Sequence, residues 1–172
     1  MCIRDSDDPA VSAIWEDTYR GIMLCNASIY DLNRLNPEDY GFTQQDFNDF
    51  IAQTRVLRAW MYMTLFDLVH NIPVVTDYPS TELPLQSTPQ ETFAFLEKEL
   101  TESLPLLKKK EGSEGNGLNQ GQWTQGGCAA LLARLYMNAS WWIDEDKTAE
   151  AEKYCEDIIN GEYGFYLSLI HI

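Results

Sequence analysis

Apolar residues recur at helical spacing in five stretches of this chain, separated by proline, glycine and asparagine. The first runs from about Pro9 to Leu32. Val11, Ile14, Trp15, Tyr19 and Ile22 share one stripe, Asp8 can cap the helix, and Pro9 suits its first position. Asn36-Pro37 then reads as a loop. The second stretch, from about Gln44 to His70, is one-sided at first (Phe47, Phe50, Ile51) and apolar nearly all round from Val56 to Val69. A helix of that kind is buried on two sides and belongs at the centre. Asn71 is expected in the left-handed position after it, and Pro73 forbids continuation.

The residues from Asn71 to Ser87 carry Pro73, Pro79 and Pro84 and predict a long ordered loop. Thr88-Pro89-Gln90-Glu91 is a capping box with proline at the first helical position. It opens a third helix whose stripe is Phe93, Leu96, Leu100 and Leu104, stopped by Pro105. Lys108 to Gln120 reads as a flexible linker, with Lys108, Lys109 and Lys110 as a solvated helix end. A fourth helix is expected from about Trp123 to Ala139 and a fifth from about Lys147 to Asn160, with Gly161 as the terminating residue. The connection between them, Ser140 to Asp146, is short, so the two helices pack antiparallel. Ala129, Ala130 and Ala133 on one and Ala149 and Ala151 on the other are expected to face each other, as in tetratricopeptide-like hairpins. A short extended piece at Tyr163 to Tyr166 is the one strand candidate. The predicted class is all-α, with stacked antiparallel helical hairpins over residues 7–166. Met1 to Ser6 and Leu167 to Ile172 lack cap, turn or periodic logic and read as non-native ends.

Composition narrows the functional classes. The 172 residues carry a formal charge of −15, from twelve basic and twenty-seven acidic side chains. That field repels phosphate backbones and anionic headgroups, so no nucleic acid partner is expected, while neutral ligands such as oligosaccharides are not excluded. Cys2, Cys25, Cys128 and Cys155 have no metal-ligand spacing, and the two histidines are His70 and His171. No metal site is expected, and the helical cysteines read as small buried hydrophobes. No apolar run reaches the roughly 18 residues that a membrane span needs.

Gln53 to Val74, QTRVLRAWMYMTLFDLVHNIPV, resembles the signature of the SusD/RagB family, in which an Arg-x-x-Arg-Ala helix rich in aromatics ends in an aromatic-Gly-x-Pro turn. Arg55, Leu57, Arg58, Ala59, Tyr62, Leu65 and Pro73 match it. Trp15, Tyr19, Ile22 and Asn26 are similar to the family's preceding helix. Gly121 to Ala139 and then Ala149, Ala151, Tyr154, Ile158, Gly161 and Tyr163 are similar to its following segments, with Arg134 in the matched Ala-Arg-x-Tyr. His70-Asn71 stands where aromatic-Gly is usual, and Gly126-Gly127 where Ala-Ala is usual. Two helical glycines cost roughly 2 kcal/mol against alanine, so a frayed start to the fourth helix is expected.

The resemblance implies the amino-terminal, tetratricopeptide-like part of a much longer protein. It implies a lipid anchor on the outward face of the outer membrane, capture of oligosaccharides for a TonB-dependent (SusC-like) transporter, no cofactor and no catalysis. It also implies that most of the sugar site lies outside these helices. Helices built to contact the remainder are then expected to expose apolar faces. A tetratricopeptide-like protein adaptor and, further off, a glycoside hydrolase are the alternatives.

Candidate ligand contacts are Trp141 and Trp142, adjacent in the connection between the last two helices, and Asp77 and Tyr78 in the proline-rich loop. The tryptophans either form a stacking platform for sugar rings or pack over the hairpin end and a neighbouring helix. Trp15 and Trp60 are expected in the core. Arg58 and Arg134 sit among apolar neighbours, and each is expected to meet a buried carboxylate or a loop carbonyl.

Overall fold

A computed structural model describes residues 9–80, 83–110 and 121–164. Expectations for Asp8, the two chain ends, residues 111–120 of the linker and the second half of the Tyr163–Tyr166 piece lie outside them. Every regular element among the described residues is helical: α1 (Pro9–Leu32), α2 (Gln44–Val69), α3 (Pro89–Ser103), α4 (Gln125–Met137), the single turn α5 (Ala139–Trp142) and α6 (Thr148–Ile159), with short 3-10 turns at Pro37–Tyr40 and Leu104–Leu106. Each long helix packs on the one before it, α1 on α2, α2 on α3, α3 on α4 and α4 on α6, giving stacked antiparallel hairpins.

Local chemistry sets most boundaries. Thr88 and Glu91 form the expected capping box, with the Thr88 amide donating to Glu91 Oε2 at 2.8 Å and the Glu91 amide to Thr88 Oγ1 at 3.2 Å. A second box, Thr43 with Asp46, starts α2. α4 begins at Gln125, two residues later than expected, because Thr124 accepts from the Gly127 amide and caps it. Gly126 and Gly127 therefore lie in a capped, regular first turn and not a frayed one. At Gly127 a side chain would press on the Trp123 ring, which covers the turn. Gly161, at φ 79°, stands one residue past the C-cap Asn160 and ends α6 as expected.

The core runs through all the hairpins and includes Ile22, Val56, Tyr62, Phe66, Leu96, Leu100, Leu132 and Leu135. α2 is the central helix, as its pattern requires. Of the five alanines expected to face each other, Ala129, Ala133 and Ala151 are buried, whereas Ala130 and Ala149 point to solvent. Trp60 likewise faces outward at 40% exposure, because an all-round apolar pattern does not fix which side meets water. Cys25 and Cys128 are buried free thiols, and burial pushes the Cys128 thiol up to about 12. Lys108 does not end a helix. Its amide donates to Asp49 at 3.1 Å and its ammonium to Asp46 at 3.1 Å, which ties the chain after α3 to the first turns of α2.

The first turns of α1 leave Val11 and Ile14 uncovered, and Leu68 and Val69 at the end of α2 stand beside them around a hollow shared with Trp15 and Leu65. This chain is expected to bind a hydrophobic fluorescent dye while still folded, and Leu68→Lys to weaken that binding. Dye fluorescence that stays at the buffer value would contradict the apolar face.

Candidate functional site

The residue between α2 and the long loop is set by backbone geometry. His70, not Asn71, takes the positive φ (71°, with ψ −58°), and the Asn71 amide donates to Val69 O at 2.9 Å, closing a γ-turn. The His70 ring stacks on Phe66 at 5.5 Å, which holds this residue in the turn. The loop then closes on itself: the Ser87 amide donates to Ile72 O at 3.0 Å, and the Gln86 side chain to Asn71 O at 3.0 Å.

Two helices grip the start of the loop by its backbone. From α1, Tyr19 Oη donates to Pro73 O at 2.8 Å and Asn26 Nδ2 to Val75 O at 2.9 Å. From α2, Tyr62 Oη accepts from the Val75 amide and donates to its carbonyl, both at 2.8 Å. Burial pushes the Tyr62 hydroxyl up to about 12, so it keeps the proton it donates. Burial, and secondarily Tyr62, raise Tyr19 as well.

The grip continues inward through charges. Asn26 Oδ1 accepts from Arg58 Nη1 at 2.7 Å, and Arg58 donates from Nε (3.1 Å) and Nη2 to Glu99 of α3. Arg55 donates to the other Glu99 oxygen from Nε at 3.0 Å and Nη2 at 2.8 Å, and to Glu102 at 2.7 Å, which holds the Glu102 carboxyl below its ordinary range. Arg58 and Glu99 are both buried. One network thus joins α1, α2, α3 and the loop. Tyr62→Phe would leave the Val75 amide without its acceptor and is expected to cost about 1–3 kcal/mol, with faster hydrogen exchange at Val75. An unchanged melting temperature together with unchanged Val75 exchange would show that this hydroxyl does not hold the loop.

Two clefts flank the anchored loop. One, of about 320 Å³, lies between α1 and the loop and is lined by Trp15, Tyr19, Met23, Pro73, Asp77 and Ser80. The other, of about 440 Å³, lies between the end of α1, α2, α3 and Thr76.

The sequence candidates are dispersed by the fold. Asp77 lines the first cleft. Tyr78 does not, and its ring meets Tyr30 edge-on at 5.7 Å. Trp15, expected in the core, is half-buried and forms a wall of that cleft; its place on the α1 stripe made it look wholly internal. The tryptophan pair does not share a face. Trp142 is buried with its ring 4.8 Å from Phe66, and Trp141 is 79% exposed. A four-residue helix carries them. Successive residues of a helix point about 100° apart. The paired platform is therefore absent. Arg58 meets its buried carboxylate, but Arg134 reaches only Asp67, at 3.5 Å, with both side chains about half exposed. Tyr154 stacks on Tyr136 at 5.9 Å and closes the α4–α6 hairpin.

Tyr19, Asn26 and Tyr62, which hold the loop, Arg55 and Arg58, which extend that network to α3, and Pro73 within the loop are all among the residues that carry the family resemblance. Residues 3–137 match the SusD-like family model described as starch-binding and associating with the outer membrane. This chain belongs to the SusD-like family. It is 26% identical over 138 residues to the starch-binding protein SusD of Bacteroides thetaiotaomicron, a match covering 78% of this chain and 24% of that protein. A SusD superfamily protein from Parabacteroides distasonis superposes with a TM-score of 0.78 at 20% identity, over 90% of this chain and 32% of that one. A laminarin-binding SusD-like protein superposes with a TM-score of 0.73 at 24% identity, over 91% and 32%. These two share the fold. The chain spans about a quarter of the curated relative's length.

Proposed function

We propose that this SusD-like chain is the helical platform of a glycan-capturing protein held on the outward face of the outer membrane. Such a protein passes oligosaccharides to a TonB-dependent transporter and does not cleave them. The observation that carries the reading is where the family's polar side chains point. Tyr19, Asn26, Arg58 and Tyr62 direct their hydrogen bonds to one loop backbone, to each other and to Glu99, which is the chemistry of holding a presentation surface in place. Neither buried carboxylate among the described residues is free, as a hydrolase would need: Glu99 is bound by two guanidinium groups, and Asp49 accepts from the Gln53 side chain and the Lys108 amide. Trp15, Tyr19 and Asp77 along the first cleft supply the mix of aromatic face and polar edge that suits a sugar ring. Fold alone does not assign function, so kinship supports the reading without carrying it.

The test uses the longer natural protein on a glycan array, with cross-linking in intact outer membranes. Saturable oligosaccharide binding without release of new reducing ends, and a TonB-dependent transporter among the cross-linked partners, are expected. Turnover of the glycan would overturn the reading in favour of a hydrolase. Failure to bind any glycan while retaining a bound protein segment would overturn it in favour of an adaptor.

A further inference from the structure

The second cleft has a chemistry of its own, apart from the loop-side cleft assigned above. Its floor is the Arg58–Glu99 pair, its apolar walls are Ile51 of α2 and Phe95 of α3, and its rim is built by Asn33, Thr76 and Lys98. Three cations, Arg55, Arg58 and Lys98, face two carboxylates, Glu99 and Glu102, so the cleft carries a local excess of positive charge in a chain of net charge −15. The donors are not all used. Arg55 directs Nε and Nη2 to its two carboxylates, leaving Nη1 without a hydrogen bond among the described residues. Lys98 forms no ion pair within 4.0 Å there, whereas Lys108 and Lys147 do. The Asn33 side-chain amide and the Thr76 hydroxyl, both exposed in the same lining, likewise make no side-chain hydrogen bond among the described residues.

We propose that this cleft is a subsite for a carboxylate-bearing sugar, a uronic acid unit within a glycan. Arg55 and Lys98 meet the carboxylate, while Asn33 and Thr76 meet ring hydroxyls and Ile51 and Phe95 line the C–H face. A lining that combines cations with neutral hydrogen-bonding groups fits an acidic sugar better than it fits an inorganic anion. Such an ion has no hydroxyls to place and would occupy little of the 440 Å³. Glu99 and Glu102 together offset Arg55 and Arg58, and Lys98, whose charge also lowers the Glu102 carboxyl, supplies the remaining positive charge of the cleft. That makes Lys98 the residue on which affinity should depend most.

All of these residues belong to this chain, so it can be titrated directly. The probes are trigalacturonate, its fully methyl-esterified form and acetate, followed by NMR shifts of the Asn33 and Thr76 amides, with circular dichroism to confirm folding of each variant. Trigalacturonate is expected to bind with a Kd on the order of 1 mM, weakening as salt rises. Lys98→Glu and the methyl ester are each expected to lose about tenfold. Asn33→Ala, which removes only a neutral donor, should weaken acid and ester by about the same modest factor of three. No saturable shift with trigalacturonate overturns the subsite, as does indifference to Lys98→Glu. Equal binding of acid and ester would replace it with a neutral-sugar site, and equal binding of acetate would reduce it to a simple anion site. The array measurement on the longer protein is independent of all these outcomes, so glycan capture can stand while this subsite falls, or the reverse.

Discussion

Glu99→Gln is expected to lower stability by about 3–5 kcal/mol, because it removes the charge that compensates a buried guanidinium. The Glu99 side chain is only 7% exposed and accepts from both Arg55 and Arg58. Arg55 retains Glu102 at the surface, but Arg58 is left with the neutral Asn26 oxygen at 2.7 Å and no second charge to replace the carboxylate. Urea denaturation should show a large fall in midpoint with an unchanged slope. Arg134→Ala, which breaks the half-exposed pair with Asp67, should stay within about 0.5 kcal/mol. Replacing the buried pair together, as Arg58→Met with Glu99→Leu, should recover part of the loss, since two apolar side chains leave no orphaned charge. If Glu99→Gln and Arg134→Ala cost the same, the charge network is not what holds α3 against α2.

These two arginines mark how far the sequence could be read. Both lie among apolar neighbours in the chain, and only one is buried. Arg58 is on α2, which has α1 on one side and α3 on the other, while Arg134 is on the outer face of α4. Sequence pattern supplies the period of a helix but not its phase when apolar residues surround it, and the outward turn of Trp60 has the same origin. Features whose chemistry is contained in four consecutive residues were legible, as with the Thr88–Glu91 box. The equivalent box at Thr43 uses Asp46 where glutamate or glutamine is the usual signal, and so does not stand out in the sequence.

The candidate site was legible only as a set of family-like residues. Tyr19, Asn26 and Tyr62 converge on Pro73 and Val75 from between 13 and 54 positions away in sequence, a relation that no local spacing encodes. Asn71 was expected to take the left-handed turn on residue preference alone. His70 takes it instead, with its ring stacked on Phe66 one helical turn back, so a side-chain contact four residues away outweighs the residue's own backbone preference.

Phe66 is therefore where core and loop meet, and Phe66→Ala is the second change expected to have a large effect, about 3–5 kcal/mol. The side chain is fully buried, its ring lies 4.8 Å from that of Trp142, and it supports the His70 ring from which the loop departs. Its removal leaves a cavity beneath Trp142, whose indole N–H has no hydrogen-bond partner among the described residues to hold the ring's orientation once that packing contact is lost. Near-ultraviolet circular dichroism should lose the Trp142 contribution. Hydrogen exchange should quicken from His70 to Val75 before the rest of the chain opens, since the γ-turn loses the contact that holds it. Trp141 is a side chain 79% exposed. Trp141→Ala should change stability by less than about 0.5 kcal/mol and leave that spectrum's aromatic couplets in place. Comparable losses from the two substitutions would mean that burial on Phe66 is not what distinguishes the two tryptophans energetically.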